Sequence, residues 1–181
     1  KFDATLNKGD STISTILNSG YHRTKTELDK KNNPSHLLFG GNVDYRFGGF
    51  YVGATAAYTS LDKELVPKTT SVYRRYYAHG KNFYNVGVNY GYTGSSLSFS
   101  GETATGGCKA VATINSLSYS ITDRLTMLAL QRFYSYKYDS LFAESFNEGG
   151  AVQNESGIYL GMTWRPSQAL NIIAYIDYAY F

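Results

Sequence analysis

Two stretches decide how the chain is read: Gly157-Ile158-Tyr159-Leu160-Gly161-Met162-Thr163-Trp164-Arg165, and then Leu170-Asn171-Ile172-Ile173-Ala174-Tyr175-Ile176-Asp177-Tyr178-Ala179-Tyr180. In the first, Ile158, Leu160, Met162 and Trp164 oppose Gly157, Tyr159, Gly161, Thr163 and Arg165. In the second, Leu170, Ile172, Ala174, Ile176, Tyr178 and Tyr180 oppose Asn171, Ile173, Tyr175 and Asp177. A period of two is that of a β-strand, whose successive side chains leave opposite faces. Pro166-Ser167 between the segments reads as a turn.

Working outward, the same alternation recurs. Leu37, Phe39, Gly41, Val43, Tyr45 and Phe47 share a face, with Asn42, Asp44 and Arg46 on the other. After Gly48-Gly49, Phe50, Val52, Ala54, Ala56 and Tyr58 continue it, which predicts a hairpin. Tyr84, Val86, Val88, Tyr90 and Tyr92 oppose Asn85, Gly87, Asn89 and Gly91; Gly94-Ser95 then turns into Leu97, Phe99 and Gly101 against Ser96, Ser98, Ser100 and Glu102. Segments 109–121 and 125–138 are less regular. Asn115 falls in register with Val111, Leu117 and Tyr119, and Leu128-Ala129-Leu130 is apolar on both faces, which predicts a bulge or a plugged region. Weaker alternation around Asp10-Ser11 adds two strands in residues 2–17, for about ten strands in all, by the spacing logic of hairpins. Segments 22–35, 62–82 and 139–155 read as long loops, the second with a helical turn near Val72 to Ala78. Gly48-Gly49, Gly94-Ser95, Thr122-Asp123 and Pro166-Ser167 read as short turns.

Composition points the same way. The 181 residues include 18 Tyr, 10 Phe and 18 Gly, and only 17% are charged, against the usual quarter. The longest apolar runs, Leu37 to Phe39 and Ile172 to Ile176, are far short of the roughly 20 residues a spanning helix needs. A soluble sandwich carries charge freely on its exposed face. Here the second face is mostly Gly, Ser, Thr, Asn and Tyr with single charges. The regular segments also approach the roughly 9 to 11 residues of a tilted membrane strand. The expected fold is all-β: an antiparallel up-and-down transmembrane β-barrel of about ten strands spanning residues 1–181, whole or part of a larger barrel. Asn42, Asp44, Arg46, Asn85, Asn89, Glu102, Arg132, Arg165 and Asp177 are the expected lumen-facing polar residues. In a narrow barrel their charges must pair; in a wide one they line a water path. Tyr45, Phe47, Tyr84, Tyr90, Tyr92, Trp164, Tyr178 and Tyr180 are the expected lipid-facing aromatic girdle.

Chemistry is sparse. Cys108 stands alone, so neither an intrachain disulfide nor a CxxC pair can be written. His22, His36 and His79 lie in or beside loops without a second ligand at helical or strand spacing, so no metal and no cofactor is expected. A barrel lipase or deacylase would have to combine His79 or His36 with Ser35 or Ser71, and no spacing singles these out. Glu144, Glu148 and Glu155 read as a solvated acidic loop. Lys68, Arg74, Arg75 and Lys81, interleaved with Tyr73, Tyr76 and Tyr77, read as contacts to solvent or to anionic lipid headgroups. A net charge of +3, scattered along the chain, gives no nucleic-acid footprint.

The series Gln131-Arg132-Phe133-Tyr134, Tyr138, Leu141-Phe142-Ala143-Glu144, Val152-Gln153-Asn154-Glu155, Gly157 to Gly161, Trp164-Arg165-Pro166 and Tyr175-Ile176-Asp177-Tyr178 resembles the C-terminal barrel region of a group of Bacteroidota outer-membrane proteins. Several of those carry a helix-hairpin-helix module elsewhere. The resemblance covers about the last 50 residues and brings no catalytic residues with it. It implies a bacterial outer-membrane location and a chain that continues past Phe181; the start at Lys1 without Met fits a processed or excised piece. The helix-hairpin-helix pattern is absent, so nucleic acid is not an expected partner. The expected partners are outer-membrane lipid and other envelope proteins. The expected role is a non-enzymatic pore, receptor or scaffold of a surface assembly, with a soluble all-β polysaccharide-binding module and a barrel lipase as alternatives.

Overall fold

Gly48 and Gly49 adopt φ of 52° and 85°, left-handed values open to glycine without a Cβ clash, and they reverse the chain as a two-residue hairpin requires. The strands they join are β3 (His36–Phe47) and β4 (Phe50–Leu65), paired without interruption from Phe47↔Phe50 to His36↔Leu61. The computed structural model describes every residue except 8, 10, 18, 72 and 73. The antiparallel meander continues through β5 (Gly80–Thr93), β6 (Leu97–Gly106), β7 (Val111–Thr122), β8 (Leu125–Tyr134), β9 (Glu155–Ser167) and β10 (Leu170–Tyr180). Short turns join the strands at one end, and the longer connections gather at the other.

Two shorter strands, β1 (Asp3–Leu6) and β2 (Thr12–Leu17), complete a single ten-stranded sheet, but not as an extension of the meander. β2 joins β4 in parallel through Thr12↔Glu64 and Ile13↔Leu65, beyond the end of β3. This corrects the expected up-and-down order: the first hairpin sits at the long-connection end, and β3 to β10 alone have membrane-scale length. The sheet is also open. Among the described residues, β3 pairs only with β4 and β10 only with β9.

The register puts the two alternating sets of residues on opposite faces of the sheet. Apolar residues of consecutive strands stand opposite one another, as in Val52↔Tyr90, Ala54↔Val88 and Ile176↔Leu160, and this face is exposed along the sheet; we call it the open face. The other, sheltered face is covered in part by the long connections. Among the described residues only small apolar clusters are buried, and both lie toward the long-connection end: Ala4, Ile13, Leu61 and Leu65 under the first hairpin, and Ala110, Ala112, Tyr134 and Tyr138 near the β6–β7 and β8–β9 connections.

Boundaries moved where packing outweighed composition. Residues 62–65 and 80–82, expected in a loop, extend β4 and β5, because Leu61 and Leu65 are buried by the first hairpin. Segment 22–35 contains one helical turn, α1 (Lys25–Leu28), capped by Thr24 and Glu27. The turn expected at Pro166-Ser167 lies at 168–169 instead, and Pro166 stays in β9 beside a register shift, a place where a residue without an N–H is tolerated. The helical turn expected near Val72 falls partly outside the described residues; in the rest, Arg74 N donates to Ser71 O at 3.0 Å and Tyr77 N to Arg74 O at 3.2 Å. Asp10 of the Asp10-Ser11 turn also lies outside them.

Ile13 is wholly buried, so Ile13→Ala should cost about 2 to 5 kcal/mol locally and speed amide exchange in β1 and β2 while leaving β9 and β10 unchanged. A pH effect accompanies it. The Asp3 carboxylate accepts from the Asn32 backbone N–H and from His22 at 2.6 Å, and these bonds hold it below the ordinary Asp value of 3.8. A depressed carboxyl contributes stability that is complete above its unfolded value and disappears as pH falls through its folded one. The first hairpin should therefore loosen below about pH 3.8, seen as NMR exchange of the Asn32 amide, and Asp3→Asn should remove that step.

Candidate functional site

Arg132 on β8 stands opposite Gly157 of β9, and a Cβ at that glycine would come within 2.5 Å of the guanidinium carbon. The missing side chain gives the guanidinium room to cross β9. Its Nε donates to Glu155, while Nη1 and Nη2 donate to the two carboxylate oxygens of Asp177 on β10 at 2.8 and 3.2 Å. Arg132 and Glu155 are 1% and 2% exposed, so this is a buried charge cluster rather than a surface ion pair. Two carboxylates share one guanidinium. The surplus negative charge is met by backbone donors, because Glu155 also accepts from the N–H groups of Glu148 and Gly149 at 2.9 and 3.0 Å.

Those donors belong to the β8–β9 connection, residues 135–154, which folds over the sheltered face. The Phe146 ring lies 4.9 Å from the guanidinium and meets Tyr159 edge-on at 5.8 Å. The Tyr134 hydroxyl donates to Phe146 O at 2.8 Å and lies 2.9 Å from the Ser145 hydroxyl. Charge-assisted bonds, a cation–π contact and a buried tyrosine thus pin one connection to the strands beneath it.

All nine expected lumen residues take the sheltered side of the alternation, but the structure brings only some of them together. Arg132 and Asp177 pair. Asp44 accepts from Asn89 Nδ2 at 2.9 Å above Gly53, where a Cβ would come within 2.0 Å of the Asp44 oxygen. Glu102 stands opposite Asn89, and Asn85 donates to the backbone carbonyl of Asp139 at 3.2 Å. Asn42 donates to Thr55 at 2.8 Å on the edge of the sheet. Arg46 is exposed, 5.8 Å from the Tyr51 ring, and Arg165 is exposed at the short-turn end beside a cleft with Asp123 and Asn171. Glu155 is the partner that the sequence reading grouped into a solvated acidic loop. It is the first residue of β9 and shares the face of Gly157 and Tyr159, the signal that could have found it.

The open face carries the expected aromatics. Near the short turns, Tyr45, Phe47, Phe50 and Tyr92 form a run of ring contacts at 5.5, 5.7 and 4.6 Å, with Trp164 exposed at the same end of β9. Toward the long connections, Phe39 packs on Tyr58 at 5.1 Å, Tyr84 lies opposite Tyr58, and Tyr178 and Tyr180 end β10. Between Phe50 and Tyr58 the face holds Val52, Ala54 and Ala56 over about 27 Å of strand, at roughly 3.4 Å per residue. Tyr90 is drawn into a polar strip instead. Its hydroxyl donates to Asn115 at 2.9 Å, and Asn115 donates to Gln131 at 2.9 Å. This strip, rather than a bulge, accounts for Asn115, since β7 and β8 pair in unbroken register from Ala112 to Ser120.

The three histidines and Ser35 make separate contacts. His22 bonds Asp3, His36 lies between the Phe2 and Phe142 rings at 5.2 and 5.5 Å, and His79 Nδ1 lies 3.3 Å from the Tyr77 carbonyl. The Ser35 hydroxyl donates to Asp62 at 2.9 Å. The sequence matches no protein-family model and no curated protein.

Arg132→Ala would strand two carboxylates under the connection and should cost about 3 to 5 kcal/mol in urea unfolding. Gly157→Ala should be destabilising in the same direction, by displacing the guanidinium. Arg46→Ala, at an exposed edge, should change stability by less than about 0.5 kcal/mol.

Proposed function

We propose that β3 to β10 are wall strands of an outer-membrane β-barrel, and that the protein serves as a receptor or scaffold, or as a pore kept shut at rest, rather than as an enzyme. The observation that carries this reading is the open face: Ile158, Leu160 and Ile176 are exposed by 54%, 50% and 65%, and among the described residues no second layer covers the apolar side of the sheet. An apolar surface of this extent needs a solvent other than water or a protein cover. Strands of 10 to 16 residues, with aromatic belts toward both ends and an apolar band between, suit a bilayer. The resemblance of the last 50 residues to Bacteroidota barrel regions supports a Gram-negative outer membrane as the location.

Bilayers leave no room for unpaired backbone donors, so in this reading the free edges of β3 and β10 are completed by other strands and the described sheet is part of a barrel wall. The pinned connection 135–154 supports a plugged lumen over an open one. The competing reading is a soluble all-β polysaccharide-binding module. It draws on the Tyr90–Asn115–Gln131 strip, a polar line on an otherwise apolar face.

Cell fractionation separates the two. A barrel should enter the detergent-soluble envelope fraction and shift its gel mobility on heating, whereas recovery in buffer without detergent would reject the bilayer placement. In planar-bilayer recordings the wild type should show no steady conductance. Arg132→Ala should produce transient openings, because it frees the connection from the strands.

A further inference from the structure

We propose that two copies of the chain associate side by side in the membrane through the polar strip on the open face, with Gln131 of one copy against Gln131 of the other. The proposal rests on the barrel reading, which turns the open face toward lipid.

The register fixes where the strip lies. One row of facing residues crosses the sheet from Tyr45 on β3 through Tyr90, Asn115 and Gln131 to Tyr178 on β10. That row starts among the rings near the short turns and ends among those near the long connections, so Asn115 and Gln131 stand in the apolar band between the two belts. Tyr90 reaches Asn115 because Gly101 separates them. A Cβ there would come within 2.6 Å of the Tyr90 ring and 2.4 Å of Asn115 Oδ1.

Following the hydrogen bonds along the row shows where they stop. Tyr90 donates its hydroxyl to Asn115 Oδ1, and Asn115 Nδ2 donates to Gln131 Oε1 at 2.9 Å and to Thr113 Oγ1 at 3.2 Å. Gln131 ends the series. Its side chain is exposed, and the two N–H groups of its Nε2 have no partner among the described residues. Hydrocarbon cannot solvate them, so in a bilayer they need an acceptor from another molecule.

Electrostatic complementarity selects that molecule. On β5 to β10 the open face carries no Lys, Arg, Asp or Glu, so a charged partner would meet no counter-charge. A carboxamide is its own complement. Each Nε2 donates to the other copy's Oε1, which keeps a second lone pair beside the one that Asn115 uses. A two-fold axis along the membrane normal brings the same patch of both copies together and leaves both inserted in the same direction. Ala129, two residues before Gln131 on the same face of β8, is small enough to let the two sheets approach.

The test uses the full chain in membranes and in detergent, with Cys108→Ser as the background for cross-linking. Gln131→Cys should give a disulfide-linked dimer on mild oxidation, whereas Ala54→Cys, on the same face but away from the strip, should not. Light scattering in detergent should report a dimer for the wild type, and Gln131→Leu should raise its dissociation constant roughly tenfold or more. The heat-dependent gel shift of each variant shows that it has folded. A wild type that stays monomeric, a dimer unmoved by Gln131→Leu, or cross-linking at 131 that is no stronger than at 54 or joins only a different protein would each overturn the proposal. Those outcomes leave the protein in the envelope fraction and the bilayer placement intact. Recovery in buffer without detergent would remove both.

Discussion

Strand pairing has a period of two, and every ladder in this protein depends on keeping it. A slip of one residue between neighbouring strands would send Leu160, Ile176 and their counterparts to the sheltered side and turn Asp44, Asn89 and Asp177 outward. The observed register avoids this across the meander, with shifts confined to strand ends, such as those near Pro166 and Ser120. Because most of the apolar residues are kept on one side, the protein has an exposed greasy face and, among the described residues, almost no conventional core. What is buried lies under the long connections.

Within that frame the sheltered face is organised by one guanidinium. Arg132 is placed by β8, admitted by the absence of a side chain at Gly157, and satisfied by carboxylates on β9 and β10. A lone buried arginine would be untenable, and a lone buried glutamate equally so. Their mutual need explains why a connection of some twenty residues lies folded over the strands: its backbone N–H groups supply the bonds that Glu155 requires beyond the one from Arg132.

Much of the fold could be read from residue order. Alternation located β3 to β6, β9 and β10, and the split between apolar and polar faces held across them. The failures share one cause, packing by residues distant in the chain. Asp62, Lys63 and Glu64 look like a loop until Leu61 and Leu65 are seen beneath Ile13. Asn115 looks like a break until Gln131 meets it from β8 and Tyr90 reaches it from β5 across Gly101. Glu155 joins Glu144 and Glu148 by proximity in sequence, yet its environment is set by Arg132, 23 residues away. Local pattern carries the strand and its faces; it does not carry which strand brings the partner.

The two unpaired edges have a directional consequence. β3 runs toward the short turns, and seven antiparallel steps later β10 runs away from them. A ring that keeps all its neighbours antiparallel can therefore be finished only by zero, two, four or another even number of added strands. A single inserted strand would have to lie parallel to one of its neighbours. In the barrel reading, whatever completes the wall contributes an even number of strands.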